Sequence, residues 1–331
     1  MIGAGPGEVY KPPVESRGAW YGSTMRALVG LVLVAGCFTS AAPPAAPRPE
    51  PKPARRTVAL TDALGFLPAE STVIAVIEVK DLRASPAWAR LEPTLQQRVD
   101  PLLPGGFSKN CQFDPIASLK RVAIGLREVD TPTPSGVVVL RGYRRELVMA
   151  CLELAKTTAG PSKITIADGV ALLQSGPLRA AVTFADDTTL VIQIGANADA
   201  ISLAGVIDGG APLRSTPSFL EAIGNLDITA PMWVAILDPK LLAGAAMGLK
   251  PLQATASGRL VDGASSQIRI RLDDPALAST TATSLQSQMS AAAMFFEELT
   301  VTDEDADLVV RMRMNPSQLE MVLGMLLGNA P

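Results

Sequence analysis

The chain has no histidine among its 331 residues, its aromatic residues make up only 4%, and it contains three cysteines. Without histidine, Ser-His-Asp and Cys-His catalysis and histidine-ligated zinc sites are excluded, because no other side chain titrates near neutrality without help from its surroundings. Three cysteines are too few for a four-cysteine zinc site, and the scarcity of aromatic rings argues against a sugar-binding cleft. The sequence therefore excludes several of the commonest catalytic and metal-binding sites.

Charge and motifs narrow the function classes further. The 29 basic and 32 acidic residues nearly balance, for a net charge of −3, which argues against nucleic acid as a partner. The Gly-x-Ser-x-Gly elbow and the Ser-x-x-Lys motif are missing, and so is the Gly-Lys dipeptide of a phosphate-binding P-loop. We therefore predict that the protein is not an enzyme and needs no cofactor.

A secretory signal lies inside the first 40 residues. Met25 and Arg26 give a positive start, the apolar run 27–34 follows, and Ala35 and Gly36 lead into Cys37. This order is typical of a signal peptide, over residues 25–36. The apolar run is far shorter than the roughly 20 residues that cross a bilayer. Residues 1–24 show no periodicity, so we expect translation to start at Met25 and the preceding residues to be a gene-model extension.

The end of this signal, Val34-Ala35-Gly36-Cys37, resembles the lipobox of bacterial lipoproteins. The resemblance implies cleavage before Cys37, a diacylated sulfur and an acylated amine, which would anchor the protein in a membrane. It also implies a place in the cell envelope, facing the periplasm, and Phe38 in place of Asp implies the outer membrane. The alternative is an ordinary signal peptide that happens to contain a cysteine.

A tether and two folded units follow. Six prolines between Ala41 and Ala54 predict an extended polyproline II spacer, within a segment of residues 37–57. Residues 58–208 and 209–331 each show the order strand, helix, strand pair, helix, strands, helix. The predicted fold class is α+β, with two related units of antiparallel sheet, each covered by helices on one face, as an internal repeat.

The Cys-x-Phe-Asp-Pro segment 111–115, together with the lipobox and the tether, resembles a group of uncharacterised lipoproteins of myxobacteria and their relatives, which implies no known activity. With Cys37 lipidated, Cys111 and Cys151 remain as an even pair in an oxidising compartment. We predict a disulfide between them. The alternative is two separate buried thiols, since cysteine is a frequent core residue.

One acidic cluster is a weak candidate for a metal site. Asp303, Asp305 and Asp307 alternate in sequence, and calcium sites need converging oxygen atoms. However, Leu308 stands where an EF-hand loop needs glycine, and Met314 stands where it needs a bidentate glutamate. We therefore favour a solvated hairpin turn and predict no metal.

The function most consistent with these patterns is a lipid-anchored periplasmic binding or structural module without catalysis. Its partners would be the membrane, through the lipid, and an envelope protein. One alternative is a carrier of an apolar ligand or lipid, with a groove lined by Leu285, Met289 and Met294 of a long helix, although such residues are more often core. A less favoured alternative is a histidine-independent hydrolase that uses carboxylates.

Overall fold

The computed structural model describes residues 62–99, 114–158, 163–209, 212–243, 249–289 and 293–326. All of these residues belong to one compact unit, Cys37–Pro331. The predicted extension, signal peptide and tether lie outside the described residues. Within the described ranges, no helix is both long enough and apolar enough to cross a bilayer.

The described strands form one 12-stranded antiparallel sheet, in the order β11-β12-β10-β9-β8-β1-β2-β3-β7-β6-β5-β4. The strands are β1 Val73–Ile77, β2 Arg121–Arg127, β3 Ser135–Arg141, β4 Lys163–Ala167, β5 Val170–Ser175, β6 Leu178–Phe184, β7 Thr189–Ile194, β8 Met232–Ile236, β9 Pro251–Arg259, β10 Ala264–Leu272, β11 Glu298–Glu304 and β12 Asp307–Met314. The predicted α+β class with antiparallel pairing is confirmed.

The helices lie between these strands. They are α1 Val79–Arg83, α2 Trp88–Val99, α3 Pro115–Ser118, α4 Arg145–Thr158, α5 Ala200–Ile207, α6 Pro217–Ile223, α7 Pro239–Ala243, α8 Pro275–Met289 and α9 Pro316–Leu326, with short 3-10 helices at Asp62–Phe66, Leu213–Ser215 and Ala293–Phe295. Three of these helices, α7, α8 and α9, begin at an Asp-Pro or Asn-Pro dipeptide. Asp238 and Asp274 each accept a backbone N–H of the first turn at 2.9 and 2.8 Å, and Asn315 does the same for Gln318 at 2.9 Å.

The two predicted units share a single sheet, which is a difference from the expectation of two separate ones. Strand β1 of the first unit pairs with β8 of the second, and Ala75 lies opposite Val234 at the middle of the pair. Both strands are apolar almost throughout, as strands buried on both faces are. The two units are therefore joined through their central strands.

The order of strands is similar on the two sides of this junction. In the first unit β1-β2-β3 is followed by β7 and β6, and in the second unit β8-β9-β10 is followed by β12 and β11. The first unit adds the hairpin β4-β5 at its outer end. This common order supports the predicted repeat, which stays a prediction.

The sheet has two faces with different covers. We call the side of Ile74, Val76 and Trp233 the front face, and the side of Ile77 and Val122 the back face. On the back face, α1, α2 and α3 cover the centre, α4 covers the first unit, and α8 and α9 cover the second. On the front face, the 3-10 helix Asp62–Phe66, α5 and α6 seal the first unit and the centre. Helices therefore cover both faces of the first unit, whereas on the front face of the second unit α6 covers β8 and β9.

Candidate functional site

The front face of the second unit is polar where the same face of the first unit is apolar. In the first unit, Val139 of β3 and Val191 of β7 lie opposite each other and are buried in the core that the 3-10 helix Asp62–Phe66 and α5 cover. The corresponding strand pair of the second unit, β10 and β12, presents Arg269, Arg271, Arg311 and Asp307 on that side, together with the buried Val309 opposite Arg269. Alternation of arginine with apolar residues along the two strands places every one of these charges on the front face.

These charges form what we call the arginine network, a set of three guanidinium groups and three carboxylates without net charge. Its members are Arg269, Arg271, Arg311, Glu221, Glu304 and Asp307. Four of them come from β10 and β12, Glu304 comes from the end of β11, and Glu221 comes from α6. The network thus connects three strands of the second unit to a helix at the centre of the sheet.

Asp307 is the most buried member of the arginine network, with 3% of its side chain exposed. Arg269 Nη1 donates to Asp307 Oδ2 at 2.8 Å, and Arg271 donates to both carboxylate oxygens through Nε and Nη2. Burial raises the pKa of Asp307, but the hydrogen bonds from Arg271 and Arg269 outweigh it, so the pKa lies below its ordinary value. Asp307 is therefore ionised at neutral pH.

Glu304 is held in the same way at the edge of the arginine network. Its two oxygens accept hydrogen bonds from Arg269 Nη2 at 2.5 Å and Arg311 Nη2 at 2.6 Å. Burial raises the pKa of Glu304, and the hydrogen bonds from Arg269 and Arg311 lower it by more. A carboxylate with a lowered pKa is a poor proton donor at neutral pH, so these two acids are unsuited to general acid catalysis.

The space inside the arginine network is small. A cavity of about 10 Å³ is lined by Glu221, Ala222, Asn225, Gln253, Thr255, Arg269, Arg271 and Asp307. This volume is close to the minimum for a single water molecule. The network can order a water molecule or present its charges to a large partner, but it has no room for a small organic ligand.

A second, larger cleft lies on the front face of the first unit. Its volume is about 190 Å³, and it lies between the 3-10 helix Asp62–Phe66 and α5. Phe66, Leu67 and Val206 supply its apolar lining, and Glu70 and Ser202 its polar lining. Pockets for small molecules usually measure about 300 to 1,000 Å³, so this cleft fits no more than a short apolar group.

One described carboxyl group has a raised pKa. Burial raises the pKa of Glu78, while Arg121, which forms an ion pair with it at 3.0 Å, acts in the opposite direction. Glu78 follows directly after β1 and does not line either of the two cavities above. It gives a carboxylate hydrolase one group whose pKa is shifted in the right direction, outside both of these cavities.

The predicted metal candidates do not converge in the structure. Asp303 lies opposite Leu308, whose side chain is in the back core, whereas Asp307 is on the front face within the arginine network. Asp305 is in the hairpin turn, with φ at +57°. Among the described residues, no group of three or more acidic or cysteine side chains could hold a metal ion.

The predicted apolar groove is part of the core. Leu285 and Met289 pack against the back face of β10, β11 and β12, while Met294 follows in the next 3-10 helix and is 72% exposed. Neither cavity of the described chain is lined by these three residues. The structure therefore does not bring them together around a ligand site.

The predicted cysteine sites fall only partly within the described residues. Cys37 and Cys111 lie outside them. Cys151 is buried in α4, facing the back of the sheet, and is disulfide-bonded. Its pairing with Cys111 stays a prediction. Asp114, which is close to Cys111 in the sequence, caps α3. Tyr143 donates a buried hydrogen bond at 2.9 Å to the carbonyl of Pro115, the first residue of that helix.

Comparison with known proteins shows the fold. No protein-family model matches the chain, and no curated protein matches its sequence. Among solved structures, crystal form III of TP0453 is similar with a TM-score of 0.52 and 10% identity, over 80% of this chain and 98% of that one. Crystal form I of TP0453 gives a TM-score of 0.50 and 10% identity, over 81% and 98%. At this identity the likeness is evidence for a common fold alone.

Proposed function

We propose that the protein is a non-catalytic binding or structural module of the cell envelope, anchored by lipid on Cys37 and facing the periplasm from the outer membrane. The observation that carries this proposal is the order of the sequence, in which a lipobox cysteine is followed by a proline-rich spacer and then by a folded body. The spacer would let the body stand away from the membrane surface and meet a partner there.

The geometry of the described body agrees with a binding role. Its densest group of charges, the arginine network, is paired internally, and both Asp307 and Glu304 have lowered pKa values. The two cavities described above are smaller than ordinary substrate pockets. The outer members of the network, Glu221, Glu304 and Arg311, have exposed side chains and suit recognition of a large polar surface, such as that of another envelope protein.

A carrier of an apolar ligand is the second candidate, favoured by the cleft beside Phe66 and Val206 rather than by the predicted groove. At about 190 Å³ the cleft accepts only part of an acyl chain, so we rank this role second. Native mass spectrometry of the purified chain tests it, because a carrier would retain a ligand that is released on substitution of Val206 by Trp.

The anchoring is tested by replacing Cys37 with Ser in the full chain. We expect this variant to lose incorporation of labelled palmitate and to move from the membrane to the soluble periplasmic fraction. The matched control, Ser40→Ala, should incorporate palmitate and fractionate like the parent. In an enterobacterial host, Phe38→Asp should shift the anchored chain from the outer to the inner membrane on a density gradient. Unchanged fractionation of Cys37→Ser would refute the anchor.

A further inference from the structure

The two outer strands of the described sheet differ in how their free edges are protected from pairing with another strand. At one end, the backbone N–H of Val301 in β11 points away from the sheet and donates to Gln286 Oε1 of α8 at 2.6 Å. Acidic residues crowd the end of this strand, including Asp303 and Glu304. Side-chain capping and charge are common devices that keep an edge strand from pairing with another chain.

The opposite edge, β4, has no side-chain cap among the described residues, and its one charged residue, Lys163, stands at its first position. β4 and β5 are joined by Asp168 and Gly169, whose φ values of +50° and +75° make a two-residue type I′ turn. In such a hairpin the residues that flank the turn form a hydrogen-bonded pair, and hydrogen-bonded pairs recur at every second residue. Lys163, Thr165 and Ala167 therefore bond inward to β5.

It follows that Ile164 and Ile166 point their N–H and C=O groups outward. No residue of the described chain forms a hydrogen bond with these four groups. Their side chains point to the back face, where Ile164 is buried and Ile166 packs on the core under α4. Edge strands with this apolar, uncharged middle are prone to pair with a second strand.

We infer that β4 pairs antiparallel with β4 of a second copy of this chain. With Thr165 opposite Thr165, Ile164 of each copy lies opposite Ile166 of the other, and the outward groups of both residues form four hydrogen bonds across a twofold axis. This register uses only residues of β4 itself. It also places Lys163 opposite Ala167, one residue from Asp168 of the other copy, so opposite charges meet and like charges do not.

The centre of the sheet already contains a pairing of this kind. β1 and β8 are five-residue strands that pair antiparallel about a midpoint, Ala75 opposite Val234, as equivalent strands of two identical subunits would. The β4 pairing would extend the sheet in the same way, through two equivalent strands that pair antiparallel about their midpoints. A contact of two short strands buries less than the roughly 1,200 Å² typical of stable complexes, so the dimer should be weak and concentration-dependent.

The experiment uses the full chain with Cys37→Ser, so that no lipid is attached and the result does not depend on the proposed anchoring. Thr165→Cys places two thiols across the axis at a non-hydrogen-bonded pair, where the Cα atoms lie about 4.5 Å apart, within the range of a disulfide. Mild oxidation should then convert most of the chain to a covalent dimer. The matched control, Thr302→Cys on the protected β11 edge, should form no covalent dimer, and neither should the parent with its remaining cysteines.

A second variant tests the unlinked dimer. Thr165→Glu puts two like charges directly opposite each other, and because Thr165 is exposed, the substitution leaves the β4–β5 ladder intact. In analytical ultracentrifugation it should raise the dimer dissociation constant about five-fold or more. Equal cross-linking of Thr165→Cys and Thr302→Cys, a parent that stays monomeric at every concentration, or cross-links from Thr165→Cys only to other envelope proteins would each overturn the inference.

Discussion

The arginine network allows a quantitative prediction about stability, in which Asp307 is replaced by Asn. The change removes a carboxylate that is 3% exposed and accepts hydrogen bonds from two guanidinium groups. Removing one partner of a buried ion pair costs about 3 to 5 kcal/mol, since the remaining charge is left uncompensated. In the variant Arg269 retains its ion pair with Glu304, and Arg271 retains its ion pair with Glu221. We therefore expect the free energy of unfolding to fall by an amount near the lower end of this range, about 3 kcal/mol.

Urea unfolding followed by circular dichroism measures this loss, on the full chain with Cys37→Ser. The matched control is Asp303→Asn, because Asp303 is exposed, lies in β11 and is outside the network, and it should change the free energy of unfolding by less than about 0.5 kcal/mol. If Asp307→Asn does not fold, Glu304→Gln at the partly exposed edge of the network should still show a smaller loss, about 1 kcal/mol. Equal effects of Asp307→Asn and Asp303→Asn would refute the reasoning.

Three further predictions follow from the same contacts. First, the pKa values of Asp307 and Glu304 are lowered in the folded state, so their ionised forms stabilise the fold above the ordinary carboxyl range near pH 4. This contribution is lost as the pH falls through their folded-state pKa values. The urea midpoint should therefore decline on acidification, and the decline should be less steep in Asp307→Asn. Second, Tyr143→Phe should cost about 1 kcal/mol, because the Pro115 carbonyl loses its donor, and in the parent the buried Tyr143, whose pKa is raised to about 12, should resist alkaline titration followed by ultraviolet absorbance. Third, Gln286→Ala should speed hydrogen exchange at the Val301 amide, whereas Gln288→Ala, which removes only a bond within α8, should not.

The sequence predicts the individual elements well where turn chemistry is explicit. Asp168-Gly169 is a hairpin signal, and the apolar stretches on either side of it lie in β4 and β5. The start of β9 is harder to predict, because its first residue is Pro251, and proline is tolerated at the first residue of a strand without marking that start.

The pairing of the two units is harder to predict, because the sequence of a strand does not show which other strand it pairs with. The unbroken apolar runs of β1 and β8 give one indication, because such runs are typical of strands buried on both faces. This pattern conflicts with the expectation that helices cover only one face of the sheet. The candidate site also has a signal. Arginines at every second position of β10 and β12 indicate a strand pair with one charged face, although the spacing cannot show which carboxylates will pair with them.

The contrast between the two units explains why the charged face is the better candidate for recognition. Val139 and Arg269 occupy corresponding places in β3 and β10, yet the first is buried in an apolar core and the second reaches Glu304 and Asp307. If both faces served only stability, the apolar solution would suffice, since replacing a buried ion pair by packed apolar residues is often neutral or stabilising. The second unit instead keeps six charged groups on this face, of which Glu221, Glu304 and Arg311 are exposed. Fixed, neutral overall and rigidly paired, they suit a partner that reads a pattern of charges rather than one that needs a pocket.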